Sequence, residues 1–341
     1  MYLLNMDKAS LKKISKTSPP LIKAFLLDSK GGGVKITPEQ AKQAVAQKKL
    51  VWIHFDYKNP ASKKWVRSLG LNHHHFVVDM LFAEESRPRA VTLHEGLLLT
   101  LRNINFNKGA KPEDMISSRL WLTEHLILST NHRKVVVVET LENMLKRGDG
   151  PTSTSDFLKH MLIQMTEDVT DVVCALDDQF DLLEEKFRKS SICGKPVREQ
   201  ISELRRRIIM IKRYLLPQRE AFTLLQTEQL SWVTTYDTIH LREIADSTIR
   251  SLEDLDAAKD RGLVLYEECV GQIQAQLNSK IYLLSVVAII FMPLTFITGL
   301  LGINVGGIPG AASRYAFAAV CGILLFIGCM QLIYFRIRRW I

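Results

Sequence analysis

Charge is almost missing from the C-terminal end of this chain. From Ile281 to Ile341 the charged side chains are Arg314, Arg336, Arg338 and Arg339, and no carboxylate occurs. That stretch excludes a wholly soluble protein, although averages of 47% hydrophobic and 24% charged residues over 341 positions would pass for one. Cysteine is scarce too. Cys174, Cys193, Cys269, Cys321 and Cys329 form no C-x-x-C pair, which fits reduced thiols in a cytosolic setting better than a disulfide framework. No G-x-x-x-x-G-K-[ST] follows Gly31-Gly32-Gly33, so those glycines read as a flexible turn, and no nucleophile stands at credible spacing from a base. An ATP-driven pump, a hydrolase and enzymatic activity in general are therefore not expected. The opening MYLLNMDKASLKKISK has too short an apolar run for a signal peptide.

What is present begins with two spans. Ile281 to Leu301 is uncharged throughout and, as a helix, about 31 Å long, the thickness of a hydrocarbon core. Tyr315 to Phe335 is a second such run, followed at once by Arg336, Arg338 and Arg339. Two spans put both termini on one side, and this basic cluster, with Lys280 before the first span, marks that side as cytoplasmic. The net charge of +9 could also suggest nucleic acid, but the spans assign it to a membrane setting, and no nucleic-acid partner is expected.

The rest divides by composition. Residues 1–150 read as a cytoplasmic α/β domain, with strands at Ile22 to Leu27, Val51 to Phe55, Leu97 to Ile104, Ser117 to Leu122 and Leu126 to Ser129. Helices open at Thr37-Pro38-Glu39 and Asn59-Pro60. Residues 151–235 read as a helix pair, Asp156 to about Arg188 and Val197 to about Thr227. Residues 236–280 form a stalk helix that runs on into the first transmembrane helix, 281–301. An outer loop (302–314), the second transmembrane helix (315–335) and a basic tail (336–341) complete the chain.

Stepping back from Gly302 by alternating three and four residues gives Gly299, Thr295, Met292, Ala288, Ser285 and Ile281, mostly small or hydroxylated. The same step continues through Asn278, Gln274, Gly271, Glu267, Val264, Asp260, Ala257 and Glu253. A heptad seam normally wants apolar residues, so amides and acids there point to a wet lumen between helices. The plain alternatives are a solvated outer face for the stalk and small-residue packing in the membrane. One subunit with two spans cannot enclose an ion path, so a pore requires a ring of identical subunits, each giving its first span. The outer loop offers a cation only Asn304, Ser313, Arg314 and backbone carbonyls. Such weak, hard ligands suit a hydrated ion rather than a stripped zinc ion.

These residues resemble the CorA superfamily of divalent-cation transporters, whose Gly-Met-Asn signature closes the first of two C-terminal spans. Gly302-Ile303-Asn304 occupies that place, after Pro293-Leu294-Thr295-Phe296-Ile297-Thr298-Gly299. The run Gly302 to Gly310 is similar to the ZntB-type zinc transporter branch, as are Trp52 to Asp56, Glu84 to Arg89 and Arg213 to Arg219. The resemblance implies a funnel-shaped homopentamer in the bacterial inner membrane. It also implies a pore lined by the first span and Asn304 as a filter ring holding a hydrated divalent metal ion through its water. Gly302, Ile303 and Asn304 are then the selectivity filter. Ile281, Ser285, Ala288, Met292, Thr295 and Gly299 line the pore, and Glu253, Asp260, Glu267, Gln274 and Asn278 line a cytoplasmic vestibule.

The function expected is transport of divalent metal cations, zinc first, with the metal as cargo and no resident cofactor. A magnesium or nickel and cobalt channel is the alternative within the family, and a membrane-tethered sensor or scaffold the alternative outside it. His73-His74-His75 reads as a solvent-exposed run, since neighbouring helical residues diverge by about 100° and cannot share a metal. Cys321 and Cys329 stand roughly 12 Å apart along a helix and read as packing residues.

Overall fold

The computed structural model describes residues 22–70, 75–84, 87–93, 96–190, 195–228, 230–303, 306, 308, 310 and 313–338. Two compact units divide the chain, Met1–Leu265 and Tyr266–Ile341, and the division falls inside one long helix.

In the first unit, seven strands form one sheet: β1 (Ile22–Leu27), β2 (Gly33–Ile36), β3 (Val51–Asp56), β4 (Arg89–Leu93), β5 (Gly96–Asn103), β6 (Ile116–Leu122) and β7 (Leu126–Asn131). Their spatial order is β2-β1-β3-β7-β6-β5-β4. Among the described strands β3 and β7 pair in parallel, from Val51↔Leu126 to Asp56↔Asn131, and the other neighbours are antiparallel. The expected α/β domain is thus built on a mixed sheet. Strands β6 and β7 are buried at every position because helices cover both faces. One face carries Phe25, Trp52, Leu97, Leu120 and Ile127 and packs on Phe157, Met161 and Leu162. The other carries Ile53, Phe55, Leu98, Trp121 and Leu128 and packs on Ala41, Val66, Val77 and Leu81.

Local sequence accounts for the short helices. Helix α1 (Pro38–Ala46) opens on a reciprocal cap, in which Gln40 N–H donates to the Thr37 hydroxyl and Thr37 N–H to the Gln40 side chain. Helix α2 (Pro60–Arg67) starts where the Asn59 side chain accepts from Ala61 N–H at 3.0 Å. Helices α3 (His75–Leu81) and α4 (Val136–Arg147) and strands β2 and β4 were not anticipated. Both strands are edges of the sheet, where one row of backbone groups goes unpaired and apolar alternation is weak. Gly31-Gly32-Gly33 belongs to a built turn rather than a loose one. The Asp28 carboxylate accepts from Lys30 N–H at 2.7 Å and Gly32 N–H at 2.9 Å, and these bonds hold its pKa below the usual carboxylate range.

Three long helices follow, α5 (Thr154–Ser190), α6 (Lys195–Thr227) and α7 (Thr235–Leu301). Within the first unit α7 buries a seam of Leu241, Ile244, Ala245, Leu252, Leu255, Ala258 and Leu265. The spacing of three and four puts these on one face. Beside the seam the Arg261 guanidinium meets Asp177 at 2.5 Å, Asp181 at 2.5 Å and Glu184 at 3.0 Å, all on α5, while Asp256 pairs with Lys212 of α6. Gly262 sits where the helices come closest. A Cβ there would lie 2.8 Å from the Phe180 ring and 3.1 Å from Arg205 Cγ.

The second unit holds the remainder of α7 and α8 (Ala316–Ile337), both long and apolar enough to cross a membrane and almost wholly uncovered within the subunit. Cys174, Cys321 and Cys329 are free, but Cys269, fully buried on α7, is disulfide-bonded, which corrects the expectation of a reduced thiol there.

The Gly262 contact makes a prediction. Gly262→Leu should destabilise the protein by about 1–3 kcal/mol through overpacking, outweighing the gain of about 1 kcal/mol from removing a helical glycine. Thermal unfolding checks it, and an unchanged or higher midpoint would contradict the close packing.

Candidate metal-ion path

The residues expected to face an ion path lie on α7, and each unit presents its share. In the first unit Glu253, Ala257, Asp260 and Val264 are all exposed. At about 100° per residue Asp260 stands roughly 160° around the helix from Ala258 and Gly262, so this stripe is opposite the packed seam. Among the described residues Glu253 has no ion pair, and Asp260 has only a 3.6 Å contact with Lys259. Off the stripe, Asp256 is paired and Asp254 has no ion pair among the described residues. Asp246 is exposed and stands about 20° around the helix from Glu253, so it extends the open face opposite the seam by one heptad.

In the second unit Glu267, Gly271, Gln274, Asn278, Ile281, Ser285, Ala288, Met292, Thr295 and Gly299 are likewise exposed. So is most of the span, so exposure there does not single them out. Two hydroxyls in the span are internally satisfied: Ser285 donates to the Ile281 carbonyl at 3.0 Å, and Thr298 to the Leu294 carbonyl at 3.0 Å. Such back-bonding is how a membrane helix tolerates serine and threonine without a partner. The polar span residues alone therefore do not exclude a plain anchor. Gly302 follows the helix end, with its N–H bonded to the Thr298 carbonyl at 3.0 Å, and Ile303 is exposed. Asn304 lies outside the described residues, as do His73 and His74. His75 opens α3 and is exposed.

Two features were missed in the sequence. The first joins the spans. Pro293 sits inside α7 and has no N–H, so the Ile289 carbonyl one turn earlier loses its helical donor. Gln331 of α8 supplies one, its Nε2 lying 3.5 Å from that carbonyl, at the long limit of a hydrogen bond. A proline in one span and a single amide in the other was the available signal. The second is Arg119, a charged residue inside a fully buried strand.

Residues in two of the family-like runs take structural roles. His54 on β3 accepts or donates at Nδ1 to the Ser129 hydroxyl at 2.8 Å, and burial lowers its pKa to about 4, so it is neutral at physiological pH. The run Arg213 to Arg219 lies in α6 and contains Pro217. Among the described residues no cluster of three or more His, Cys, Asp or Glu side chains could hold a metal ion.

The family model described as CorA-like Mg2+ transporter protein matches residues 47–339. The zinc transport protein ZntB of Yersinia enterocolitica is 35% identical over 304 residues, 89% of this chain and 91% of its own length. The divalent cation transporter CmaX of Pseudomonas aeruginosa is 34% identical over 324 residues, 94% of this chain and 97% of its own. A solved structure of full-length CmaX superposes with a TM-score of 0.80 at 32% identity, over 95% of this chain and all of that one.

The proline and glutamine pair yields a double-mutant prediction. Gln331→Leu should cost about 0.6–1.7 kcal/mol of stability in the membrane-spanning unit. In a Pro293→Ala background, where the Ile289 carbonyl regains its own donor, the same substitution should cost markedly less. Additive effects in detergent unfolding would show that the two residues are not coupled.

Proposed function

From the premise that this chain belongs to the CorA-like Mg2+ transporter family, we propose that it carries divalent metal cations, zinc first, across a bacterial inner membrane through a pore on the axis of a homopentamer. The observation that carries this reading is the stripe on α7. Glu253 and Asp260 are exposed on the face opposite the packed seam, and the same helix continues as an uncovered span of membrane length. A helix packed on one side and left open on the other has a face for identical neighbours or for water between them. With the first spans around an axis, Glu253, Asp260 and Glu267 form rings of carboxylates in a confined vestibule and raise the local cation concentration. Gln274 and Asn278 continue that lining, and both termini lie in the cytoplasm.

Ile281, Ser285, Ala288, Met292, Thr295 and Gly299 then line the membrane part of the path, where hydroxyls and backbone carbonyls meet a cation that keeps its water. Gly302, Ile303 and Asn304 close it. The Asn304 amide oxygen accepts hydrogen bonds from the water shell of a passing ion, and a symmetric ring of such oxygens holds the ion without stripping it. The metal is cargo throughout. Zinc is assigned from the ZntB relatives, since hard oxygen groups do not prefer zinc. Magnesium remains the alternative cargo, and it is disfavoured because residues 302–314 contain no carboxylate and do contain Arg314.

Metal flux into liposomes tests the filter. Asn304→Leu keeps similar bulk and removes the acceptors, and it should cut zinc flux at least tenfold with assembly intact. If Asn304 only caps the helix end, Asn304→Gly should be tolerated, because glycine serves a cap at least as well. Normal flux from an assembled Asn304→Gly protein would refute the filter role.

A further inference from the structure

At the carboxyl end of the parallel pair β3 and β7, Asp56 and Asn131 stand opposite each other. A cavity of about 200 Å³ opens there, lined in part by His54, Asn131, Arg133, Val135 and Val138. The crevice beyond the carboxyl ends of parallel strands is where α/β sheets generally take ligands. The chain turns from β7 into α4 at this point, so the helix begins in the cavity wall. That start is uncapped. The N-cap residue is Val135, which makes no side-chain hydrogen bond, and among the described residues the N–H groups of Val136, Val137 and Val138 have no acceptor. Val135, Val137 and Val138 are buried. Four successive valines thus leave the positive end of a 12-residue helix without the oxygen that a serine, threonine, asparagine or aspartate would supply.

Behind the cavity a chain of hydrogen bonds orients a second donor. Trp52 Nε1, which can only donate, reaches the Ser129 hydroxyl at 2.8 Å, and that hydroxyl lies 2.8 Å from His54 Nδ1. Burial and the Lys23 charge lower the His54 pKa, whereas the Asn131 side chain raises it, so the amide oxygen is the atom that faces the imidazole. The neutral ring then carries its proton on Nε2, Ser129 donates to Nδ1, and Asn131 Nδ2 is turned away from the ring. Asn131 is only 7% exposed and lines the cavity, and among the described residues its Nδ2 has no acceptor. A buried donor left unmatched is costly. The charges of the lining leave one cation over. Lys23 pairs with Glu142 at 2.9 Å and Lys134 with Glu139 at 2.9 Å, while Asp56 is engaged by His132 at 3.0 Å and by Lys58 N–H at 2.9 Å. Arg133 has no ion pair among the described residues.

We propose that this cavity binds one small inorganic oxyanion of the phosphate or sulfate type, held by the first N–H groups of α4, by Asn131 Nδ2 and by Arg133. The unmatched polar groups around the cavity are all N–H donors, which selects an anion with several acceptor oxygens. The volume lies below the range of sites for organic ligands, so the ion binds free rather than as part of a metabolite. The site is separate from the path on α7, and its existence does not depend on the transport reading.

The test is isothermal titration calorimetry of the purified full-length protein in detergent and sodium chloride buffer, with inorganic phosphate, sulfate and ribose 5-phosphate as separate titrants. The expected result is saturable binding of phosphate or sulfate, with ribose 5-phosphate markedly weaker. Val136→Pro removes one N–H at the first helical position, where proline fits, and Val135 already has the extended backbone that proline asks of its predecessor. That variant should weaken the ion roughly fivefold, the loss of about one hydrogen bond, while the unfolding midpoint stays in place. Asn131→Asp puts a carboxylate oxygen where the Nδ2 donors were and should abolish binding. Should Asn131→Asp fail to fold, Arg133→Gln, at an exposed position, should weaken binding by a similar factor to Val136→Pro. No saturable binding of either oxyanion, binding that Val136→Pro leaves unchanged, or ribose 5-phosphate bound as tightly as phosphate overturns the proposal.

Discussion

The organisation of this protein depends on one asymmetric helix. Within the first unit α7 buries Leu241, Ile244, Leu252, Leu255 and Leu265 along a single seam, while Glu253 and Asp260 stay open on the other side. Amphipathic burial on one face is what makes so long a helix stable, because propensity alone contributes little. The seam is specific as well as apolar. Arg261 engages three carboxylates of α5, and Gly262 lets the Phe180 ring approach to a distance that no side chain would allow. Since those contacts fix which way the helix turns, they also fix that Glu253 and Asp260 are left exposed.

A second constraint comes from the membrane, where backbone groups must find partners within the protein. Pro293 violates the helical pattern inside α7, and the amide of Gln331 on α8 is the group positioned to answer the stranded carbonyl of Ile289. Hydroxyls in the same span turn back on their own helix. Together these leave few polar atoms without partners in the described part of the spans. The proposed path for hydrated ions draws on the faces of several subunits.

Much of this was legible in the sequence, for physical reasons that differ along the chain. The two spans could be read directly, because an uncharged run of membrane length has few other uses. The N-terminal signals of α1 and α2 were legible because Thr37-Pro38 and Asn59-Pro60 carry their own hydrogen-bond chemistry. Strands β2 and β4 were not, since edge strands lack a buried face on which alternation would be written. Ser117 to Leu122 could be read as a strand, but nothing local said that Arg119 would be buried in it, because burial depends on α3 and the flanking strands. The disulfide at Cys269 was also hidden, since pairing is a matter of tertiary distance. Gly302-Ile303-Asn304 was legible as a motif because it directly follows the first span.

The proposed ion path requires the stripe of α7 to face water in the assembled membrane protein. The most direct measurement is cysteine substitution along 281–299, in a background with the free Cys174, Cys321 and Cys329 replaced by alanine, followed by labelling of intact membranes with a charged, water-soluble thiol reagent. Reaction at 281, 285, 288, 292, 295 and 299, with protection at Leu283, Ile289 and Phe296, is the pattern the account predicts. Labelling without period, or confined to the large apolar positions, would contradict it.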